Sequence, residues 1–267
     1  MQELPETDGI MGTGDFDKIN DIIDEALSGR KPILVGNPVF NYERVLPRRL
    51  TTPRHTTYVK IAEGCDNACT FCSIPMMRGK FRSRSVESIV AEVEQLAAQG
   101  VREISLIAQD STNYGTDLYG KFMLPTLLNR VSEVPGVVWV RLHYAYPGFF
   151  TDELLETIAD NPKICKYVDM PLQHSEDRIL RLMRRPGRQR DIRALIEKIR
   201  DRMPDAALRT SIIVGFPGET EQDFDNLCRF VEEIQFDKLG VFTYSLEEGT
   251  PAARLPDQVP EDVKEWR

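Results

Sequence analysis

The chain has 267 residues, 41% of them hydrophobic and 28% charged, with a formal net charge of −8. With this composition a buried core is possible and disorder is not the default, and the acidity argues against a surface built mainly to hold a nucleic-acid backbone. No apolar run approaches the ~20 residues that span a bilayer, the opening "MQELPETDGI" lacks a secretory pattern, and five cysteines suggest no disulfide framework, so the expected setting is cytoplasmic, with no membrane.

The first 29 or so residues hold a glycine-rich turn, "GTGD", and one helical stretch, "FDKINDIIDEALSG". A lone strand-turn-helix cannot bury a core, so this opening reads as the tail of a larger domain. The proline- and arginine-rich "KPILVGNPVFNYERVLPRRLTTPRH" reads as a linker. From about Thr57 short apolar runs alternate with amphipathic stretches. "TYVKIAEGC" reads as a strand, "SVESIVAEVEQLAAQG" as a helix stopped at Gly100, "VREISLIAQD" as a strand and "LPTLLNRVSEV" as a helix. The strand "GVVWVRLHYAYP" precedes the helix "TDELLETIADNP", where Thr151 is the expected N-cap with acidic residues in the first turn. Leu154 at the third position rules out a full capping box. "CKYVDMPLQH" is a strand, Ser175 to Arg202 a helical stretch broken at Pro186-Gly187, "ALRTSIIVGFPG" a strand, "TEQDFDNLCRFVEEIQ" a helix and "KLGVFTYS" a last strand.

Six such steps imply parallel α/β structure with right-handed crossovers, either a doubly wound sheet or an open, partial barrel. Polar clusters follow the strands: the cysteine loop, "AQDSTNYG", "HYAYP", "PLQHS", "GFPGET" and "SLEEGT". In parallel α/β folds that edge binds ligands.

Three of the five cysteines, Cys65, Cys69 and Cys72, crowd into one C-x3-C-x2-C loop. A structural zinc site or a fully ligated iron–sulfur cluster takes four protein ligands, and no second pair exists, since Cys165 and Cys228 are isolated. Three ligands leave one metal position open for a substrate or cofactor. Packed thiols, or a zinc knuckle completed by a histidine, are the plainer readings.

C-x3-C-x-aromatic-C, with Phe71 before Cys72, resembles the signature of the radical S-adenosylmethionine (SAM) superfamily. "EGCDNACTFCSIPMMRGKFRSRS", "AQDSTNYG", "GFPGETEQDF" and "GVFTYSLEEGTPAA" are similar to its methylthiotransferases. Within these, "SIP", "DMPLQH" and "YSLEEGTPAA" resemble the branch that modifies an aspartate on small-subunit ribosomal protein S-12. The branch acting on tRNA would show "VVP", "LPVQSGS" and "YSPRPGTPAA". The resemblance implies a partial (βα)6 radical SAM barrel. It implies a 4Fe–4S cluster on Cys65, Cys69 and Cys72 whose unique iron is chelated by the amino and carboxylate groups of SAM, and a 5′-deoxyadenosyl radical that lets C–H become C–S–CH3. It implies as partners ribosomal protein S-12, whether or not on the ribosome, and an electron donor. A tRNA-modifying core and a non-catalytic metal-binding module are the alternatives.

The ends depart from the family, which carries an amino-terminal domain with three more cysteines and a second cluster, and a carboxyl-terminal TRAM domain. The expected division is 1–33 as a remnant of that first domain, 34–54 as linker, 55–250 as radical SAM core and 251–267 as the start of a linker toward an absent TRAM domain. The chain thus reads as the catalytic core of a longer enzyme.

The resemblance puts Phe71 beside the adenine, against plain loop packing. Gln109 and Asp110 end the second strand and face the methionine end of SAM, or cap a turn. Arg209 and Ser211 share one side of the fifth strand and meet the SAM carboxylate or ribose, or form a buried structural pair. Gly215 and Gly218 allow close backbone approach to a ligand. Gln173, His174 and His143 are candidates for the substrate side, His55 is expected in solvent, and Cys165 and Cys228 as packed thiols. The basic runs Arg78–Lys80–Arg82–Arg84 and Arg181 to Arg190 read as solvated faces or as contacts to RNA phosphates.

Overall fold

The computed structural model describes residues 4–40, 43, 48–51 and 53–267. The opening segment is a small β-α-β unit: Ile10–Met11 pairs in parallel with Ile33–Leu34, and the helix Ile19–Leu27 lies between them. The linker expected from residue 34 therefore starts inside a strand pair, and part of it (41–42, 44–47 and 52) lies outside the described residues.

Six strands follow: β1 (Thr56–Lys60), β2 (Glu103–Ile107), β3 (Trp139–Leu142), β4 (Tyr167–Asp169), β5 (Ala207–Val214) and β6 (Lys238–Thr243). Between them run α1 (Val86–Ala98), α2 (Leu124–Ser132), α3 (Asp152–Asp160), the pair α4 (Asp177–Leu182) and α5 (Gln189–Arg202), and α6 (Glu221–Ile234). The break between α4 and α5 falls at Pro186-Gly187, where Gly187 takes φ +105°.

Strand β2 pairs in parallel with β1 and β3, and β5 with β4 and β6. The two triplets meet through a parallel bridge between Val140 and Ile164, a bond from Cys165 N to Val140 O of 2.9 Å, and one from Ala145 N to Asp169 O of 2.8 Å. Spatial order thus follows chain order across all six strands. A doubly wound sheet reverses its order part-way; a barrel wall does not. The wall is an open, six-stranded partial barrel.

Alternation sends Val59, Ile104, Leu106, Val140 and Leu208 outward, where they are buried under the helices with Ile89, Val93, Leu128 and Ile196. The opposite residues face the barrel interior. Thr151 caps α3 as expected: its backbone is extended and its Oγ1 accepts from Leu154 N at 3.2 Å. Thr151→Ala should lower stability by about 1 kcal/mol, read as a lower urea midpoint at unchanged slope. No helix among the described residues is long and apolar enough to cross a membrane.

Candidate active site

The cysteine loop is clamped at its base. After β1, Ala62–Glu63 pairs antiparallel with Arg82–Ser83, so the two ends of the loop meet. Gly64 turns the chain with φ +75°, packed so closely that an added Cβ would lie 2.2 Å from Lys80 O. Cys65 N then donates to Gly79 O at 3.2 Å, and Phe81 N to Asp66 Oδ1 at 3.2 Å. Thr70, buried, pins the middle of the loop. Its N donates to Met183 O (3.0 Å), its Oγ1 to Leu182 O (2.8 Å), and its carbonyl accepts from Ala252 N (2.9 Å). Cys72 N closes a turn onto Cys69 O, and the short helix Ile74–Arg78 follows at once.

Cys65, Cys69 and Cys72 line a single pocket of about 420 Å³ at the carboxyl ends of the strands. Its walls are largely apolar, with Ile107, Ala108, Ala145 and Pro171, and it also takes in Gln109 and Ser211. Two polar atoms of its lining residues, Gln109 Oε1 and Tyr146 OH, are buried and hydrogen-bond to nothing among the described residues. Unpaired buried polar atoms cost free energy, so this pocket is built for a polar guest. Burial pushes the Cys65 thiol up to about 11, against the opposing pull of the Asn67 N–H, and burial raises Cys72 as well. Iron bound here must therefore displace protons. Among the described residues no three ligand side chains converge on a single ion. A multi-iron cluster asks for less, because each thiolate binds a different iron.

The other predicted residues divide. Phe71 lines the pocket and meets Phe216 edge-on, with centroids 6.4 Å apart. Gln109, Ser211 and Gln173 also line it. Asp110 is buried and accepts from Asn67 Nδ2 (2.9 Å), Thr112 Oγ1 (2.6 Å) and Asn113 N (3.3 Å), so it braces the cysteine loop from behind. Gly215, φ +71°, donates to the Glu219 carboxylate at 3.0 and 3.1 Å and is covered by Lys264, whose Cγ would lie 2.3 Å from an added Cβ. Gly218 donates to Asp257 O. His174 is fully buried, with Nδ1 accepting from Glu176 N and Nε2 3.4 Å from Glu219. His55 is exposed, Cys165 is half-buried, and Cys228 is exposed on α6 rather than packed.

The basic runs are not uniform faces. Arg84 is buried, donating to Lys60 O (2.7 Å), Ser88 Oγ (2.9 Å) and Glu92 (2.7 Å), a structural tie between loop and α1. Lys80, Arg181, Arg184, Arg188 and Arg190 are exposed. Arg185 turns inward. It stacks on Tyr146 (4.2 Å), donates to Pro171 O, and places Nη1 3.8 Å from Cys69 Sγ. Sequence reasoning missed Arg185 and Tyr146, and also Tyr144 and Gln173 as residues at φ +59° and +75°, conformations that non-glycine residues take rarely and often at functional sites.

Arg209 lies in an adjoining cavity of about 340 Å³ that shares Phe71, Tyr144, Gln173 and Ser211 with the cysteine pocket. Its Nη1 donates to Asp169 Oδ1 at 2.7 Å, and His143 Nδ1 meets Asp169 Oδ2 at 3.2 Å. Burial alone would raise Asp169, but the bonds from His143 and Arg209 outweigh it and hold the carboxyl below its ordinary value. A depressed carboxyl stabilises the fold above its unfolded value, about pH 4, and that contribution is lost as pH falls through the folded value. Asp169→Asn should therefore flatten the acid limb of Tm below about pH 5. An unchanged acid limb would contradict this.

The sequence profile of the radical SAM superfamily matches residues 59–231, which span β1 to α6 and include all three loop cysteines. The chain belongs to the radical SAM superfamily. Among solved structures, the radical SAM methyltransferase TsrM from Kitasatospora setae, solved with tryptophan substrate and a SAM analogue bound, superposes with TM-score 0.69 at 17% identity, over 91% of this chain and 52% of that one. Coproporphyrinogen III oxidase (HemN) from Escherichia coli, a radical SAM enzyme, superposes with TM-score 0.59 at 18% identity, over 80% of this chain and 50% of that one. At such identities these likenesses concern the fold, and the radical SAM partial barrel accounts for the six strands in chain order. In sequence the chain is similar to the ribosomal protein uS12 methylthiotransferase RimO of Heliobacterium modesticaldum, 52% identical over 99% of this chain and 58% of the relative. It is likewise similar to that of Geobacter sulfurreducens, 53% identical over all of this chain and 60% of the relative. The radical SAM chain thus spans about three-fifths of these relatives' length.

Proposed function

We propose that the chain is the radical SAM core of a RimO-type methylthiotransferase, acting on an aspartate of ribosomal protein S-12 in the cytoplasm. The observation that carries the chemistry is the meeting of three thiols from one clamped loop with the unpartnered Gln109 Oε1 in one pocket. The similarity to relatives named for uS12 methylthiotransfer, along the whole chain, supports S-12 over tRNA as the target. Cys65, Cys69 and Cys72 would hold a 4Fe–4S cluster; with SAM bound, that cluster supplies the electron for SAM cleavage and so the radical.

The chain's own residues prepare that site. Gln109 Oε1 is an acceptor available to an N–H of the SAM amino group, and Ser211 and Tyr146 add polar contacts. Phe71, held edge-on by Phe216, offers an apolar surface for the adenine. Asp110 holds Asn67, and through it the loop, while Thr70 ties the loop to α4. Ile107, Ala108 and Ala145 keep the pocket dry. Arg185 brings a positive charge to Cys69, where thiolate is needed. Residues 55–250 form the core; the small β-α-β unit before it, which runs on to Leu34, belongs to an amino-terminal domain that carries a second cluster, and 251–267 lead to a TRAM domain. The cluster would draw its electron from a separate electron donor, and the exposed Arg181, Arg184, Arg188 and Arg190 are available to ribosomal RNA.

Incubating the full-length, reconstituted enzyme separately with S-12 and with tRNA tests this reading. A methylthio mass gain on an S-12 aspartate is expected; product on tRNA alone would overturn it.

A further inference from the structure

Barrel interiors of parallel α/β enzymes are normally filled by branched apolar side chains. Here the interior-facing positions form a charged column. Arg141 Nε donates to Glu103 at 2.8 Å, and the Arg141 guanidinium lies 5.0 Å from the Tyr167 ring. The His143 ring packs 5.8 Å from Tyr167 and 6.1 Å from Tyr58, and reaches Asp169, which in turn holds Arg209. Even partly buried charge is costly unless paired, and Asp169 at the column's end is buried, so a column of this kind asks what it is for.

The pairing is complete everywhere but at one end. Of the cations lining the two joined cavities, Lys60 is engaged by Glu63 at 2.6 Å. Arg185 is engaged by Tyr146 and Pro171 O. Arg209 spends one N–H on Asp169, and the rest of its guanidinium hydrogen-bonds to nothing among the described residues. It lines the cavity that shares four residues with the cysteine pocket. Glu247 lines the same cavity from its exposed side, where Ser245 Oγ donates to it.

We propose that this cavity is the substrate-carboxylate site, in which Arg209 binds the side-chain carboxylate of the target aspartate while Asp169 and His143 act as positioning residues. The assignment rests on the function proposed above and adds the group that selects the substrate. A guanidinium fork matches a carboxylate in two parallel hydrogen bonds and fixes its plane. An aspartate side chain has one CH2, directly bonded to its carboxylate, so a clamp on the carboxylate also fixes the carbon whose C–H must be cut. Asp169, itself held by His143, grips the guanidinium from one side and leaves its remaining donors for the guest. An asparagine in the target position would bring an amide N–H against those donors.

The test uses the full-length, reconstituted enzyme with S-12 peptides carrying Asp or Asn at the target position. For wild type, Arg209→Gln and Arg209→Lys, the readings are peptide KM and kcat, SAM dissociation constant, and iron content as a check on folding. With Arg209→Gln the Asp-peptide KM should rise by at least about tenfold and the preference for Asp over Asn should fall by a similar factor, with a much smaller change in SAM affinity. Arg209→Lys, which keeps the charge but not the fork, should fall between the two, and it decides the matter if the glutamine variant does not fold. A loss of SAM affinity equal to the loss in peptide KM would assign the arginine to SAM and overturn the proposal. Unchanged KM and preference would overturn it as well. A wild type that cleaves SAM yet leaves the peptide unmodified would refute the proposed function itself, and this assignment with it.

Discussion

Replacing Cys69 by alanine should strip the iron–sulfur chromophore from the reconstituted protein. All three loop thiols line one pocket, and no other described thiol is placed to stand in: Cys165 lies beside Arg141 on the barrel wall and Cys228 is exposed on α6. Cys69 also has a positive charge beside it, with Arg185 Nη1 3.8 Å away. Iron bound per chain should drop from near four toward zero, with the broad visible absorption lost. Metal affinity should fall by more than the roughly 10–100-fold that losing a mere partner of a ligand costs. Retention of the full iron content and absorption by Cys69→Ala would show that the loop is not the ligand set. Arg185→Ala, which removes a neighbour and not a ligand, provides the comparison.

Gly64→Ala should be the most damaging single-methyl change near the site. The residue sits at φ +75°, and a Cβ there would lie 2.2 Å from Lys80 O and 2.6 Å from Gly79 O. Both are backbone atoms and cannot swing aside as a side chain can. Relief requires opening the Ala62–Glu63/Arg82–Ser83 pair and breaking the Cys65 N to Gly79 O bond, which together set the position of Cys65. The left-handed conformation alone costs about 1–2 kcal/mol for a residue with a Cβ. With the clash added the loss should exceed about 3 kcal/mol, and iron uptake should suffer with it. Gly120→Ala is the internal control. Gly120 also has positive φ, +69°, but nothing lies within 4 Å of its added Cβ, so only the conformational cost of about 1–2 kcal/mol applies. Equal denaturation midpoints for the two variants would contradict this account of the loop.

Much of this molecule could be read from its sequence because the signals were local. Helices such as Val86–Ala98 carry 3.6-residue apolar spacing and end at a glycine, and the strands between them are short apolar runs. The cap at Thr151 and the break at Pro186-Gly187 are local chemistry too. The choice between a doubly wound sheet and a barrel was not local. It depends on β3 meeting β4, a contact that no composition encodes.

The site shows the same divide. The cysteine spacing announces itself, whereas the uses of Asp110 and Gly215 depend on distant partners. A polar residue or a glycine after a strand looks the same whether it faces a ligand or braces a neighbour. For Asp110 the neighbour is Asn67, and for Gly215 it is Lys264. Arg84 read as part of an exposed basic run, but Glu92 and Ser88 of the next helix draw it into the interior. Arg185 joins the pocket from 116 residues beyond Cys69. One missed signal was present in the sequence. Polar residues recur at every second position of the strands, with Glu103 and Ser105, Arg141 and His143, Tyr167 and Asp169, and Arg209 and Ser211. That period marks a polar barrel interior, where a packed barrel would show apolar residues.

Radical SAM chemistry at Cys65, Cys69 and Cys72 has a product of its own to look for. The direct measurement is 5′-deoxyadenosine released when the protein, purified without oxygen and reconstituted with iron and sulfide, is given dithionite and SAM. Product is expected from the wild type and none above background from Cys69→Ala. Stoichiometric zinc in the purified protein, with no product from either form after reconstitution, would contradict it.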